Sequence, residues 1–291
     1  MRYELTDLRL FLAIAESESL SIGASSRFLS APSASYRLKN LEQALGTTLF
    51  LRSAKGMALT PAGRVFLDHV RGILTSVQHM EGDLSRFSNN IRGQIRIVAN
   101  SSCLAGLTAP LSRYLVAHPN INVELEERLS EDIVLAVTEN TADIGLLAGE
   151  VDVMALESKP YGQDELILIT AVFHPLANAQ QVSLATALDS DFICLDRRSS
   201  NFLFLSKLAG KLGKRINARV NVQNFPTLLQ LVEENVGVSI VPRSIASTAI
   251  SEHRIAGVSL EESWRHRKQW LVANSFSNLP HYVRSFISYM T

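Results

Sequence analysis

A short stretch after Pro32 combines the side chains that hydrogen-bond phosphates and the edges of bases. It contains two serines, a tyrosine, an arginine and a lysine, and two further cations follow in a short basic turn. Hydroxyls and cations bind phosphate oxygens, and an arginine can form two parallel hydrogen bonds to guanine. This chemistry predicts contact with double-stranded DNA. The predicted contact residues are Ser33, Ser35, Tyr36, Arg37, Lys39, Arg52 and Lys55.

The distribution of charge supports this prediction. The chain has no net charge overall, but residues 1–92 contain 11 basic and 8 acidic side chains. Between Ser19 and Leu67 the only acid is Glu42, against six basic residues. A basic block of this kind is typical of proteins that bind the phosphate backbone. A solvated basic face without a partner is the alternative that charge alone leaves open.

Two short helices must position these side chains. One continuous helix from Ser19 to Leu38 would have to contain Pro32, at a cost of about 3 kcal/mol. We therefore predict a helix that includes Phe28, a break at Ser30, and a second helix that Ser30 caps and in which Pro32 lies in the first turn.

The apolar residues of the second helix predict its buried side. They recur at helical spacing, and the hydrophilic residues fall on the outward face. Gly46 is the expected C-terminal stop. A preceding helix is predicted from Thr6, as its N-cap, to Glu16. The inward stripe of the second helix is Ala34, Leu38, Leu41 and Leu45.

The segment after Gly46 predicts a β-hairpin. Strands are expected over Leu49 to Arg52 and over Met57 to Thr60, with a turn at Ser53 to Gly56. The hairpin would form a basic wing beside the recognition helix, so the pattern predicts a winged helix-turn-helix. A small helical hairpin that binds nothing is the alternative.

A long amphipathic helix follows Thr60, with Pro61 at its first position. Its apolar residues alternate at spacings of four and three over three heptads, which is the pattern of a coiled-coil seam. We expect the same helix of a second subunit to cover this seam; docking on the C-terminal part of the chain is the alternative. The predicted dimerisation residues are Phe66, Val70, Ile73, Val77, Met80, Leu84 and Phe87.

Composition narrows the remaining choices. With 291 residues, 46% of them hydrophobic, the chain can bury two or three cores. We find no secretory signal and no apolar run of about 20 residues, so we expect a cytoplasmic protein without a membrane span. Only Cys103 and Cys194 are present, with no metal-ligand spacing, so neither a metal nor another cofactor is predicted. No common nucleotide-binding, hydrolase or metalloprotease motif occurs, so an enzyme is not expected.

Several motifs in the first 75 residues closely resemble those of LysR-type transcriptional regulators. The opening DLRLF, the SAPSAS start of the recognition helix, LEQALGTTLFLR and LTPAG before the long helix occur in the family's order. The resemblance continues more weakly along the whole chain. It implies an α/β protein with an N-terminal winged helix-turn-helix, a long linker helix and a two-lobed α/β effector domain like periplasmic binding proteins. It also implies homodimers or tetramers on promoter DNA, with RNA polymerase as a further candidate partner.

The resemblance gives the domain boundaries. The DNA-binding domain would cover residues 1–59, the linker helix 60–90 and the effector domain 91–291. Lobe one would combine 91–161 with 267–291, and lobe two would span 162–266. Alternating strand and helix patterns after residue 92 independently indicate an α/β domain with a largely parallel sheet.

Ligands of such folds bind at the carboxyl ends of strands, where helix N-termini offer free amides to an anion. Serines that merely cap helices are the alternative interpretation. Ala148 occupies a position where some relatives that bind aromatic acids have an arginine, so we expect a ligand of different shape. The predicted effector-binding residues are Asn100, Ser101, Ser102, Ser130, Arg198, Ser199 and Thr227.

Two features leave alternatives open. Many family members have glutamine and arginine where this chain has Ala31 and Tyr36. The DNA sequence of the operator therefore cannot be inferred from the operators of relatives. Cys103 and Cys194 could approach the cleft from opposite lobes, which would make a thiol redox-sensing regulator the alternative function. Two buried, inert cysteines are the more economical interpretation.

Overall fold

The structure is a computed structural model that describes residues 3–53, 56–85, 87, 92–149, 153 and 156–290. The chain divides into two compact units. The first contains residues 1–93 and 139–141, and the second contains 94–138 and 142–291.

Three helices and a hairpin precede a long helix in the first unit. Ser19 caps α2 through the amide of Ile22, and Ser30 caps α3 through the amide of Ser33, as the sequence predicts for Ser30. Gly46 ends α3 with a φ of 68°, in the left-handed conformation that glycine adopts without strain. The elements are α1 (Leu5–Ser17), α2 (Leu20–Ser26), α3 (Ala31–Leu45), β1 (Phe50–Ser53), β2 (Gly56–Leu59) and α4 (Pro61–Ser85).

Two local predictions in this unit are wrong. The N-cap of α1 is Glu4 and not Thr6, because the side chains of Glu4 and Asp7 each accept a hydrogen bond from the other residue's backbone amide. The helix α2 ends at Ser26, so Phe28 lies outside it, in the turn that leads to α3.

The first unit has a core of its own, which changes the interpretation of the linker helix. Val70 is fully buried in this core, and Phe66 packs edge-on against Phe11 with ring centroids 4.8 Å apart. The heptad pattern predicts that both residues face a second subunit. They instead hold the first turns of α4 against α1, so they do not belong to the dimerisation surface.

An eight-stranded sheet dominates the second unit. Its order is β4-β3-β5-β12-β6-β11-β7, and β10 also pairs with β6; β8 and β9 form a separate parallel pair. The strands are β3 (Gly93–Ala99), β4 (Ile121–Glu127), β5 (Ile144–Ala148), β6 (Glu157–Ala171), β7 (Gln181–Val182), β8 (Phe192–Leu195), β9 (Ala218–Val222), β10 (Ser239–Pro242), β11 (Ile255–Leu260) and β12 (His266–Ala273). The helices are α5 (Ser101–Ala117), α6 (Ser130–Thr138), α7 (Leu184–Ala187), α8 (Ser200–Lys211), α9 (Phe225–Glu233), α10 (Arg243–Ser251) and α11 (His281–Met290).

The prediction of a largely parallel sheet is wrong, because this sheet is mixed. The strands β3 and β5 are parallel, but β12 runs antiparallel to both β5 and β6. The 15-residue β6 also pairs antiparallel with β10 and β11. The long strand β6 therefore connects the two α/β lobes, because its first half pairs with β12 and its second half pairs with β10 and β11.

Candidate nucleic-acid interface and ligand cavity

The outward face of α3 presents polar side chains and one large aromatic ring. Each residue of an α-helix is rotated by about 100° from the last, so the side opposite the buried Ala34 and Leu38 carries Tyr36, Lys39 and Asn40. These three side chains are exposed, with Tyr36 at 68%. The amide of Asn40, on this face, can pair with adenine.

The wing reaches the recognition helix. The guanidinium of Arg52, on β1, donates a hydrogen bond of 3.3 Å to the hydroxyl of Ser35 on α3. Ser33 is exposed in the first turn of the same helix. The structure thus brings Arg52 and Ser35 together at one edge of the outward face of α3. Lys55, the other predicted wing contact, lies outside the described residues.

Arg37 does not lie on this face, although the sequence makes it a candidate contact to guanine. Its guanidinium donates a 2.7 Å hydrogen bond to Asp7 of α1 and lies 4.0 Å from Glu4. This hydrogen bond, and then the charge of Asp7, raise the pKa of Arg37. Only 34% of the side chain is exposed. Arg37 therefore joins α3 to α1 in this structure.

The C-terminal part of the predicted seam remains on the surface of α4 and just beyond it. Ile73, Met80 and Leu84 are exposed and Val77 is half-buried, while Phe87, two residues past the helix, is also exposed. Large apolar side chains in such a row cost free energy when they face water. They are the residues that we retain as the candidate dimerisation surface.

A cavity of about 750 Å³ lies in the second unit, at the N-termini of α6 and α8. Among the described residues, its lining contains four basic side chains and two acidic ones, besides apolar groups. It is lined by Leu129, Ser130, Glu131, Asp132, Val134, Ala148, Gly149, Arg197, Arg198, Leu203, Phe204, Lys207 and Arg267. A volume of this size suits a small organic ligand.

Only Ser130 and Arg198 of the predicted effector contacts line this cavity. The amide of Asn100 donates to Ser130 at 3.2 Å and its oxygen caps α5, while Ser199 caps α8 through the amide of Phe202. These side chains are satisfied as structural caps, which was the alternative interpretation.

The remaining three predicted effector contacts are also absent from the lining. Ser102 is buried and accepts a 3.4 Å hydrogen bond from Arg267. Ser101 begins α5 and is half-buried. Thr227 is exposed on α9, and its amide donates to Asn224.

Arg267, a buried cation of the lining, is not among the predicted effector contacts. Its guanidinium donates to both carboxylate oxygens of Asp164, at 3.0 and 2.5 Å, and their side chains are only 4% and 3% exposed. The two residues are register partners on β12 and β6. The segment RHRKQW is hydrophilic at every position before its tryptophan, so the sequence does not indicate that this arginine is buried.

The two cysteines are buried, and burial changes their chemistry. Loss of solvation raises the pKa of Cys103 to about 12 and that of Cys194 to about 11. At neutral pH both are thiols rather than the thiolates that react with oxidants.

Within the described part of the chain, no three His, Cys, Asp or Glu residues form a group that could hold a metal ion. None of the described helices is long and apolar enough to span a membrane.

The chain combines a winged helix-turn-helix with a two-lobed α/β unit that contains a cavity of ligand size. This combination is typical of DNA-binding regulators that respond to a ligand. The LysR substrate binding domain model matches residues 88–291, and the model of the bacterial regulatory helix-turn-helix protein, lysR family, matches residues 5–64. The chain belongs to the LysR family of transcriptional regulators.

Individual proteins agree with this assignment. The uncharacterized HTH-type transcriptional regulator YnfL of Escherichia coli is 28% identical over 94% of this chain and 92% of its own. A single-residue variant of full-length OxyR from Pseudomonas aeruginosa has the same fold, with a TM-score of 0.77 and 16% identity over 100% and 95% of the two chains. The CcmR regulatory domain of Synechocystis in complex with 2-PG gives a TM-score of 0.63 at 17% identity, covering 68% of this chain and 96% of that domain.

Proposed function

We propose that this regulator recognises its operator with the outward face of α3 and the adjoining wing. The observation that supports this proposal is the Arg52 to Ser35 hydrogen bond, because it joins a cation of the wing to the recognition helix. Tyr36, Lys39 and Asn40 are free to enter the major groove, with Ser33 at the N-terminal end of the helix. Arg52 and Lys39 then neutralise phosphates, and Tyr36 and Asn40 contact base edges.

Binding to the chain's own upstream DNA, measured by fluorescence anisotropy over a range of salt concentrations, tests this assignment. A dimer makes each contact twice, so Lys39→Ala and Arg52→Ala are each expected to lower the slope of log K against log salt by about 2. Scrambled DNA of equal length provides the comparison for specificity.

Arg37→Ala is the matched control in this experiment. It removes an arginine from the same helix, but one that is paired with Asp7, so we expect an unchanged salt slope and a somewhat less stable first unit. An equal loss of slope in Arg37→Ala would contradict the proposed face. Equal binding of operator and scrambled DNA by the unmodified protein would contradict sequence-specific recognition at this site.

We also propose that two subunits pair through Ile73, Val77, Met80, Leu84 and Phe87. The exposed apolar row supports this, because a second copy of α4 would remove it from water. Dimers, or tetramers built from them, would place two recognition helices on an interrupted palindrome in the cytoplasm, where RNA polymerase is a further partner. In this proposal the domains keep the boundaries 1–59, 60–90 and 91–291, with lobe two at 162–266.

The cavity of the second unit supports a small anionic effector as the ligand that controls DNA binding. Arg197 and Lys207 are exposed at its edge, whereas Arg267 is already neutralised by Asp164. The cations left for a ligand are therefore on lobe two. An anion bound there can change activity only through different affinities for the two arrangements of the protein.

Thermal unfolding of the full chain with increasing 2-PG, inorganic phosphate or acetate tests the effector site. A true ligand at 100 times its Kd stabilises the protein by about 2.7 kcal/mol. Arg197→Gln and Lys207→Gln should reduce that stabilisation, while Lys211→Gln, at the end of the same helix and outside the lining, should not. An identical shift in unfolding temperature in all three variants would mean that the anion binds elsewhere.

No feature of the buried, protonated Cys103 and Cys194 favours the redox-sensing alternative.

A further inference from the structure

Phe28 occupies a position that normally requires glycine. After α2 ends, the amide of Phe28 donates to the carbonyl of Ser25, and the amide of Leu29 donates to that of Ala24. These two hydrogen bonds form a Schellman motif, whose C′ residue adopts the left-handed conformation. The φ of Phe28 is 57°, which strains a side chain of this size.

Burial of the phenyl ring does not offset this strain. It is 98% exposed, the highest value among the large hydrophobic residues of the described chain. A strained backbone combined with an exposed ring is typical of a functional position rather than a packing position. Glycine or asparagine would form the same turn without strain and without placing an aromatic ring in water.

The location of Phe28 indicates what covers the ring. It lies two residues before Ser30, which caps α3, and therefore beside the N-terminal end of the recognition helix that enters the groove. Its neighbour Arg27 is exposed, and the surrounding segment from Ser19 to Leu67 contains six basic residues and one acid. A basic surface that continues from the proposed reading face favours DNA, a polyanion, over a basic or apolar protein partner.

We propose that Phe28 is an apolar contact to operator DNA, packed against either deoxyribose or a thymine methyl group at the edge of each half-site. The proposal rests on the assignment of α3 as the recognition helix. The ring supplies affinity at a position where the polar residues of α3 do not reach. The strain of the turn is the cost of keeping the ring on this face.

Phe28→Gly tests the proposal because its two expected effects have opposite signs. Relief of strain should raise the Tm of the first unit by about 4 °C, while loss of two rings per dimer should raise the operator Kd about tenfold. Phe28→Asn, which also tolerates the turn, should behave alike. Phe28→Tyr keeps the ring and should retain wild-type affinity. A residue that only stabilises the fold could not give higher stability together with weaker binding.

The measured outcomes separate this proposal from its alternatives. Operators with deoxyuridine in place of thymine remove the methyl groups; a loss of affinity that disappears in Phe28→Gly assigns the thymine methyl, and no loss assigns the sugar. A wild-type operator Kd in Phe28→Gly would overturn the proposal. If transcription by RNA polymerase were lost in that variant at the same time, the ring would be assigned to a protein contact instead. Failure of the unmodified protein to bind its operator would instead overturn the proposed function.

Discussion

Arg267→Met is expected to lower the free energy of unfolding of the second unit by about 3 to 5 kcal/mol. The substitution leaves the Asp164 carboxylate buried without its cation, near one end of the pairing between β6 and β12. A carboxylate in that position has lost its hydration and, without Arg267, also the two hydrogen bonds that compensate for the loss. The methionine side chain is similar in length to that of arginine and fits the site, so the loss of the charge dominates the effect.

Urea denaturation followed by tryptophan fluorescence measures this loss. Both tryptophans, Trp264 and Trp270, lie in the second unit, so the signal reports that unit alone. The double variant Asp164→Leu, Arg267→Met should recover most of the stability, because replacing both members of a buried pair with apolar groups is often neutral.

Arg254→Met is the matched control for this result. Arg254 also pairs with carboxylates, those of Glu233 and Glu252, but at an exposed position, and exposed pairs contribute little to stability. A loss in Arg267→Met no larger than in Arg254→Met would contradict the importance of the buried pair. A double variant as unstable as the single one would indicate that side-chain volume, rather than charge, is decisive.

The recognition helix could be predicted from the sequence because its determinants are local. Ser30 caps it, Gly46 ends it, and both act within one turn of the helix that they delimit. The orientation of Arg37 could not be predicted in the same way. It depends on Asp7, 30 residues earlier, and helical periodicity places Arg37 at the side of the buried stripe without indicating its partner.

The dimerisation seam shows a second limit of sequence patterns. A spacing of four and three is the same for a residue that packs in its own domain and for one that packs on a second subunit. Val70 belongs to the first kind and Met80 lies on the surface, yet both occupy the same repeat. Likewise, the sequence of β12 predicts a strand but not its direction, which depends on pairing with β5 and β6.

Gly63→Ala is expected to destabilise the first unit by about 3 kcal/mol and to weaken operator binding at the same time. A Cβ atom at Gly63 would overlap the carbonyl oxygen of Leu49 and lie 3.0 Å from a methyl group of Leu59. The carbonyl of Leu49 accepts the amide of Thr60, whose hydroxyl in turn accepts the amide of Gly63. An alanine must therefore separate the start of α4 from the hairpin and disrupt the cap, which exceeds ordinary overpacking of a flexible core.

Gly72→Ala, on the same helix, provides the comparison for that prediction. Its added methyl group meets no atom closer than 3.8 Å, so helix propensity dominates and the variant should gain up to about 1 kcal/mol. Thermal unfolding by circular dichroism and operator binding by anisotropy measure both variants in the full chain. Because the wing carries Arg52 on β1, displacement of the hairpin removes its contact with Ser35 and should weaken binding even where Gly63→Ala remains folded. Normal operator affinity in folded Gly63→Ala would show that the hairpin does not need this contact with α4 in order to present its cations.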